Sequence, residues 1–194
     1  MRLSRSSIFV QLVLAAVLVS THAFAQSSEA KVAASSDEIM AHLKSQAAAE
    51  HKSILLTFGA SWCGNCRLLD KFLADPAMHP ILTKAFVFAD LDAGEREGDK
   101  RHANTPGAVD LMSSLGGKEA GFPFIVMLDA DGKLIANSLR PVGKGSGENT
   151  GYPDARYEID WFMEMLKKAA PSLSVQEQAT VRDWLIAHSS SSKH

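Results

Sequence analysis

Cysteine is scarce in this sequence: there are two, Cys63 and Cys66, in 194 residues. That rules out a framework of several disulfides and a zinc site built from four thiolates. A basic excess is also missing, with 20 Lys and Arg against 22 Asp and Glu and a formal net charge of -2. Without it nothing neutralises a phosphate backbone, so nucleic-acid binding is disfavoured. No internal repeat is visible. The glycine-rich stretch Gly143 to Pro153 matches neither a Walker loop nor G-x-G-x-x-G, and reads as a mobile connection.

The N-terminal apolar run, Ile8 to Val19 broken only by Gln11, is too short for a hydrocarbon core that takes about 20 residues. Arg2 and Arg5 precede it and Ala23-Phe24-Ala25 follows. This is the layout of a secretory signal with an A-x-A cleavage site. The expectation is a signal peptide over 1–25, a flexible leader over 26–35, one domain over 36–188 and a disordered tail over 189–194. Loss of the signal would remove two positive charges and leave no stable membrane anchor. Export then places the protein in the periplasm or outside the cell, in an oxidising compartment.

With 46% apolar residues the chain can build a core. Asp37 to Glu50 reads as a helix capped by Ser36. Ser53 to Phe58 is a buried strand, and Cys63 to Leu73 a helix with Leu68, Leu69 and Phe72 facing inward. Asp75-Pro76 starts a short helix. Ala85 to Ala89 is a second strand and Gly94 to Asn104 an exposed loop. A helix capped at Thr105-Pro106 runs to Gly116-Gly117. Phe124 to Leu128 and Leu134 to Ala136 form a hairpin across Asp129-Ala130-Asp131-Gly132. That turn has Met127 where a calcium loop needs an acid. Ile159, Phe162, Met163 and Leu166 line one helix face, and Val175 to Ala187 forms a last helix. This order predicts an α/β fold: one sheet, parallel then antiparallel, with helices on both faces.

A disulfide staple usually closes a long loop, because that restricts the unfolded chain most. Two cysteines three residues apart close almost nothing, which suits reversible redox chemistry instead. Cys63 falls where strand meets helix. Free amides at the helix start favour a thiolate there, while Cys66, one turn inside, is expected to be buried. Trp62 can shield one side of the pair and offer a platform for a substrate peptide.

Phe58-Gly59-Ala60-Ser61-Trp62-Cys63-Gly64-Asn65-Cys66 resembles the active-site stretch of the thioredoxin family, F-x-A-x-W-C-x-x-C. Gly121-Phe122-Pro123, the strand after it and Asp129 to Lys133 resemble that family's cis-proline segment and hairpin. The likeness spans roughly Lys52 to Val142. It implies a thioredoxin fold with extra C-terminal helices, acting as a thiol–disulfide oxidoreductase. It implies Cys63 as nucleophile and Cys66 as resolving thiol. Pro123 would be cis, with the Phe122 backbone pairing with substrate. Partners would be protein thiols and disulfides plus a redox partner, with no cofactor or metal. Two departures stand out. Thr57 occupies the position where thioredoxins carry a buried Asp, and a hydroxyl cannot relay a proton in its place, so water or another acid must. Gly64-Asn65 replaces Gly-Pro between the cysteines.

The competing reading is an exported metal-binding or metal-delivery module using the Cys pair. Zinc usually takes four ligands, and the histidines are scattered without a local pair. A c-type haem is excluded because Arg67 follows Cys66. A redox-inert peptide platform would have no use for both cysteines.

Overall fold

The computed structural model describes residues 33–99, 102–143, 145 and 147–190, so the signal peptide expected over 1–25, most of the expected leader and the last four residues of the expected tail lie outside the described residues. Helix α1 spans Ser36–Glu50 and is capped by Ser35, not Ser36. Glu38 stands three residues after Ser35. Its carboxylate accepts the Ser35 amide at 2.8 Å while the Ser35 hydroxyl accepts the Glu38 amide at 3.3 Å. That reciprocal box starts the helix one residue early. Ser36 is buried, its amide donating to Pro106 O at 2.8 Å.

Strand β1, Ser53–Gly59, lies in the middle of a four-stranded sheet. It pairs in parallel with β2, Phe86–Asp92, and antiparallel with β3, Phe124–Leu128. The edge strand β4, Leu134–Asn137, pairs antiparallel with β3, giving the order β2-β1-β3-β4. Alternation along β1 divides two cores. Ile54, Leu56 and Phe58 meet Leu43 and Ala47 of α1 and Met112 of α4, Ala108–Met112. Leu55 on the other face meets Leu69 and Phe72 of α2, Gly64–Leu73, and Phe162 and Leu166 of α5, Arg156–Ala169. Val181 and Leu185 of α6, Val175–His188, close that side. The predicted mixed sheet with helices on both faces is present, with extra C-terminal helices.

Several local readings change. Leu68 is 41% exposed, because α2 packs through Leu69, Phe72 and, in part, Leu73. On α5 the inward position is Met165, with Met163 only half-buried. Asp75 begins a turn, its carboxylate accepting the Ala77 amide; helix α3, His79–Ala85, starts instead at His79, with Pro80 in its first turn. α4 begins after Gly107, left-handed at φ 81°, and ends in a loose turn over Ser113–Gly117 where Gly116 is left-handed. Two short strands, β5 (Leu139–Arg140) and β6 (Glu148–Asn149), pair across the stretch read as a mobile connection. Its end, Thr150 to Pro153, is buried. Ser189, assigned to a disordered tail, is buried, and the Ser190 amide donates to Asp154 at 2.6 Å.

Candidate functional site

β1 ends at Gly59, and a tight turn closed by the Cys63 amide on Ala60 O, 2.9 Å, delivers the chain to the start of α2. Cys63 is the N-cap. Its extended backbone lets Sγ fold back and accept the Cys66 amide at 3.1 Å. A helix start carries unpaired amides and partial positive charge, so a sulfur in this place is held toward its anionic form. Cys63 and Cys66 are joined as a disulfide. In this state Cys63 is only 4% exposed while Cys66 is half-buried, the reverse of the expected order. The cap geometry is the reason: it turns the Cys63 sulfur over the first turn of its own helix. Gly64 and Asn65, between the two, are exposed. Arg67 folds back, its guanidinium donating to Ser61 O at 3.1 Å.

Trp62 is 47% exposed and firmly placed. Its indole N–H donates to Gly94 O at 2.7 Å, its ring meets Phe122 edge-on at 6.2 Å, and the Arg96 guanidinium lies 5.7 Å from its centre. The segment read as an exposed loop therefore forms part of the site. Ala93 and Gly94 amides donate to Gly59 O. The Glu95 carboxylate accepts both the amide and, at 2.8 Å, the hydroxyl of Ser61. The Glu95 amide is held in turn by the Asn104 side chain at 2.7 Å. Gly94 admits no side chain: a Cβ would stand 2.1 Å from the Phe122 ring.

The Phe122–Pro123 peptide is cis, the isomer the resemblance implies, with Phe122 half-buried and Pro123 buried. Asn149, on β6, donates from its amide nitrogen to Gly121 O at 2.7 Å and Pro123 O at 3.1 Å. Its oxygen accepts the Ser138 hydroxyl at 2.6 Å. The β5–β6 segment thus supports the turn that carries Pro123. A groove of about 550 Å³ runs from Asn65 and Leu68 past Phe122 to Tyr152, Asp154 and His188. Burial, then the charge of Asp154, pushes the Tyr152 hydroxyl above its ordinary pKa.

Acidic side chains gather on the α2 side of the sheet. Asp70 of α2 and Asp92 of β2 both titrate above the usual carboxylate range, chiefly through burial and then through the charge of Asp90. Among the described residues no three His, Cys, Asp or Glu group as they would around a metal ion. No helix among them is long and apolar enough to cross a membrane.

Trp62, Cys63, Gly64, Asn65 and Cys66 lie together where β1 meets α2, Phe122 meets Trp62 across the site, and Pro123 follows Phe122 through the cis peptide. The structure adds Gly94, Glu95 and Asn149, whose only sequence signals were a glycine and polar residues in stretches without periodicity.

A sequence model described as thioredoxin-like matches residues 38–130. No curated protein sequence matches the chain. Among solved structures, a disulphide isomerase from Xylella fastidiosa Temecula1 is 21% identical, with 76% of this chain and 86% of that one covered and a TM-score of 0.44. The thioredoxin domain of a thiol-disulfide oxidoreductase from Bacteroides vulgatus is 25% identical, covering 47% and 73%, at a TM-score of 0.34. A thiol:disulfide interchange protein from Chlorobium tepidum TLS is 17% identical, covering 63% and 83%, at 0.38. At such TM-scores these likenesses carry no weight in the reading of the site, which rests on its own geometry.

Proposed function

We propose that this chain, whose residues 38–130 match the thioredoxin-like sequence model, exchanges disulfides with protein substrates through Cys63 and Cys66, reducing or reshuffling them rather than strongly oxidising. The observation that carries this is the Cys66 amide donating to Cys63 Sγ at a helix start, with a disulfide partner one turn away. A hydrogen-bonded sulfur at a helix N-terminus has a lowered pKa and attacks as thiolate. The Cys63 thiolate attacks a substrate disulfide, one substrate sulfur leaves, and a mixed disulfide forms. Cys66 then attacks Cys63 Sγ, which closes the internal disulfide and frees the second substrate sulfur. The pair is oxidised by two electrons and the substrate disulfide is reduced.

Trp62 and the groove beside Phe122 supply the contact surface, and the unpaired backbone of Phe122 is the edge a substrate strand would join. The N-terminal apolar run and Ala23-Phe24-Ala25 support export to the periplasm or beyond. Insulin reduction by the dithiol protein tests the function. Wild type should precipitate the insulin B chain in the presence of a small thiol, and Cys63→Ser should not. Equal turbidity rates for the two would remove Cys63 from the mechanism.

A further inference from the structure

Resolution of a mixed disulfide begins with a proton leaving Cys66, and Thr57 beneath it has only a hydroxyl. We infer that Asp90, on the neighbouring strand and aimed by Thr57, is the base that takes this proton. The inference rests on the exchange reading above and adds to it the residue that drives its second step.

Thr57 and Asp90 are paired across the parallel β1–β2 ladder, on the face that packs under α2. The Thr57 hydroxyl donates to Asp90 Oδ1 at 2.6 Å. Thr57 is itself 4% exposed, so its direction is set by packing. Two residues along the strand, on the same face, Gly59 has no side chain. A Cβ built there would lie 3.1 Å from Cys66 Sγ and 3.9 Å from that same Asp90 Oδ1. The sulfur and the carboxylate oxygen therefore border one small gap, which glycine leaves open and a single water can bridge. The nearby carboxylates are less suitable. Glu95 is occupied by Ser61. The ionised forms of Asp70 and Asp92 are disfavoured by burial and by Asp90 itself. Asp90 is exposed at the sheet edge and can pass the proton on to solvent.

The step balances. Cys63 is bonded to the substrate sulfur and Cys66 is a thiol. The Cys66 proton moves to the Asp90 carboxylate. The Cys66 thiolate attacks Cys63 Sγ, the Cys63–substrate S–S bond breaks, and the Cys63–Cys66 bond forms. The substrate sulfur leaves with the electron pair and is protonated from solvent, and Asp90 returns its proton to water.

The test is rapid-mixing kinetics of the reduced full-length protein with a peptide disulfide, which separates mixed-disulfide formation from its resolution across pH 5 to about 10. Asp90→Asn should slow resolution about tenfold or more while the formation step shows that Cys63 is still correctly placed. Its resolution rate should climb with pH toward the ordinary thiol range, about 8.5, where wild type has levelled off. Asp90→Glu should recover part of the rate. Thr57→Val should slow resolution less than Asp90→Asn, because it removes the aim and keeps the base. Asp70→Asn should leave both steps unchanged. Wild-type resolution with a wild-type pH profile in Asp90→Asn would overturn the assignment. Failure to form any mixed disulfide, even in Cys66→Ser, would overturn the exchange reading first and this step with it.

Discussion

The two cysteine sulfurs, one helical turn apart, face different surroundings. Cys63 Sγ accepts an amide hydrogen at the helix start, while Cys66 Sγ lies against Gly59 and near the Asp90 carboxylate. A donated hydrogen bond favours a thiolate and a neighbouring anion opposes one, so the first proton should leave Cys63. Iodoacetamide near pH 7 should therefore alkylate reduced Cys63 at least about tenfold faster than Cys66, read by peptide mass mapping. Equal labelling would contradict the assignment. Cys63, Trp62 and Pro123 were visible in the sequence because each belongs to a short local pattern. Asp90 and Glu95 were not, because their partners, Thr57 and Ser61, lie 33 and 34 residues away. Only the register of β1 against β2 and the return of the chain after β2 bring them together. The reversed exposure of the cysteines was hidden too, since it follows from the cap torsions at Cys63.

Helices and strands with clean periodicity were legible almost to their ends, because a buried face imposes its spacing on the sequence. The segments between them were not. Asp92 to Thr105 and Leu139 to Pro153 are polar and glycine-rich, which describes an unpacked loop and a segment shaped around a site equally well. Here Gly94 and Glu95 of the first hold Trp62 and Ser61, and Asn149 of the second holds the Gly121–Pro123 turn. Asn149→Ala removes the donor to two carbonyls and the acceptor for Ser138. At about 1 kcal/mol per hydrogen bond the variant should lose about 2–3 kcal/mol of stability by denaturant titration. It should also raise KM for a peptide disulfide while turning over a small aromatic disulfide at close to the wild-type rate. Unchanged stability and KM would show that β6 does not support this turn.

The C-terminal helices add a layer whose stability depends on pH. Glu177 at the start of α6 receives Lys84 of α3 and the amide and hydroxyl of Ser174, and these hold its carboxyl down at about 2. Its pKa is depressed on folding, so its contribution is full above about 4.5 and is lost as pH falls from there toward 2. The urea midpoint of Glu177→Gln should fall below that of wild type at pH 7, and the gap should narrow below pH 4.5. A gap constant across that window would contradict the linkage. Charge also bears on the direction of electron flow. With the Asp90 carboxylate near Cys66 and Arg67 turned to Ser61 O, little beyond the helix amides stabilises a thiolate. The potential measured against glutathione should therefore lie nearer about -270 mV than about -120 mV. At about 1.4 kcal/mol per 30 mV those ends differ by roughly 7 kcal/mol, so the titration separates them easily. The measurement that bears most directly on the proposed exchange is intact-mass analysis of Cys66→Ser after mixing with a disulfide-containing protein. A covalent adduct through Cys63 that dissolves on adding dithiothreitol is the predicted result. Absence of any adduct, with Cys63 recovered as a free thiol, would contradict it.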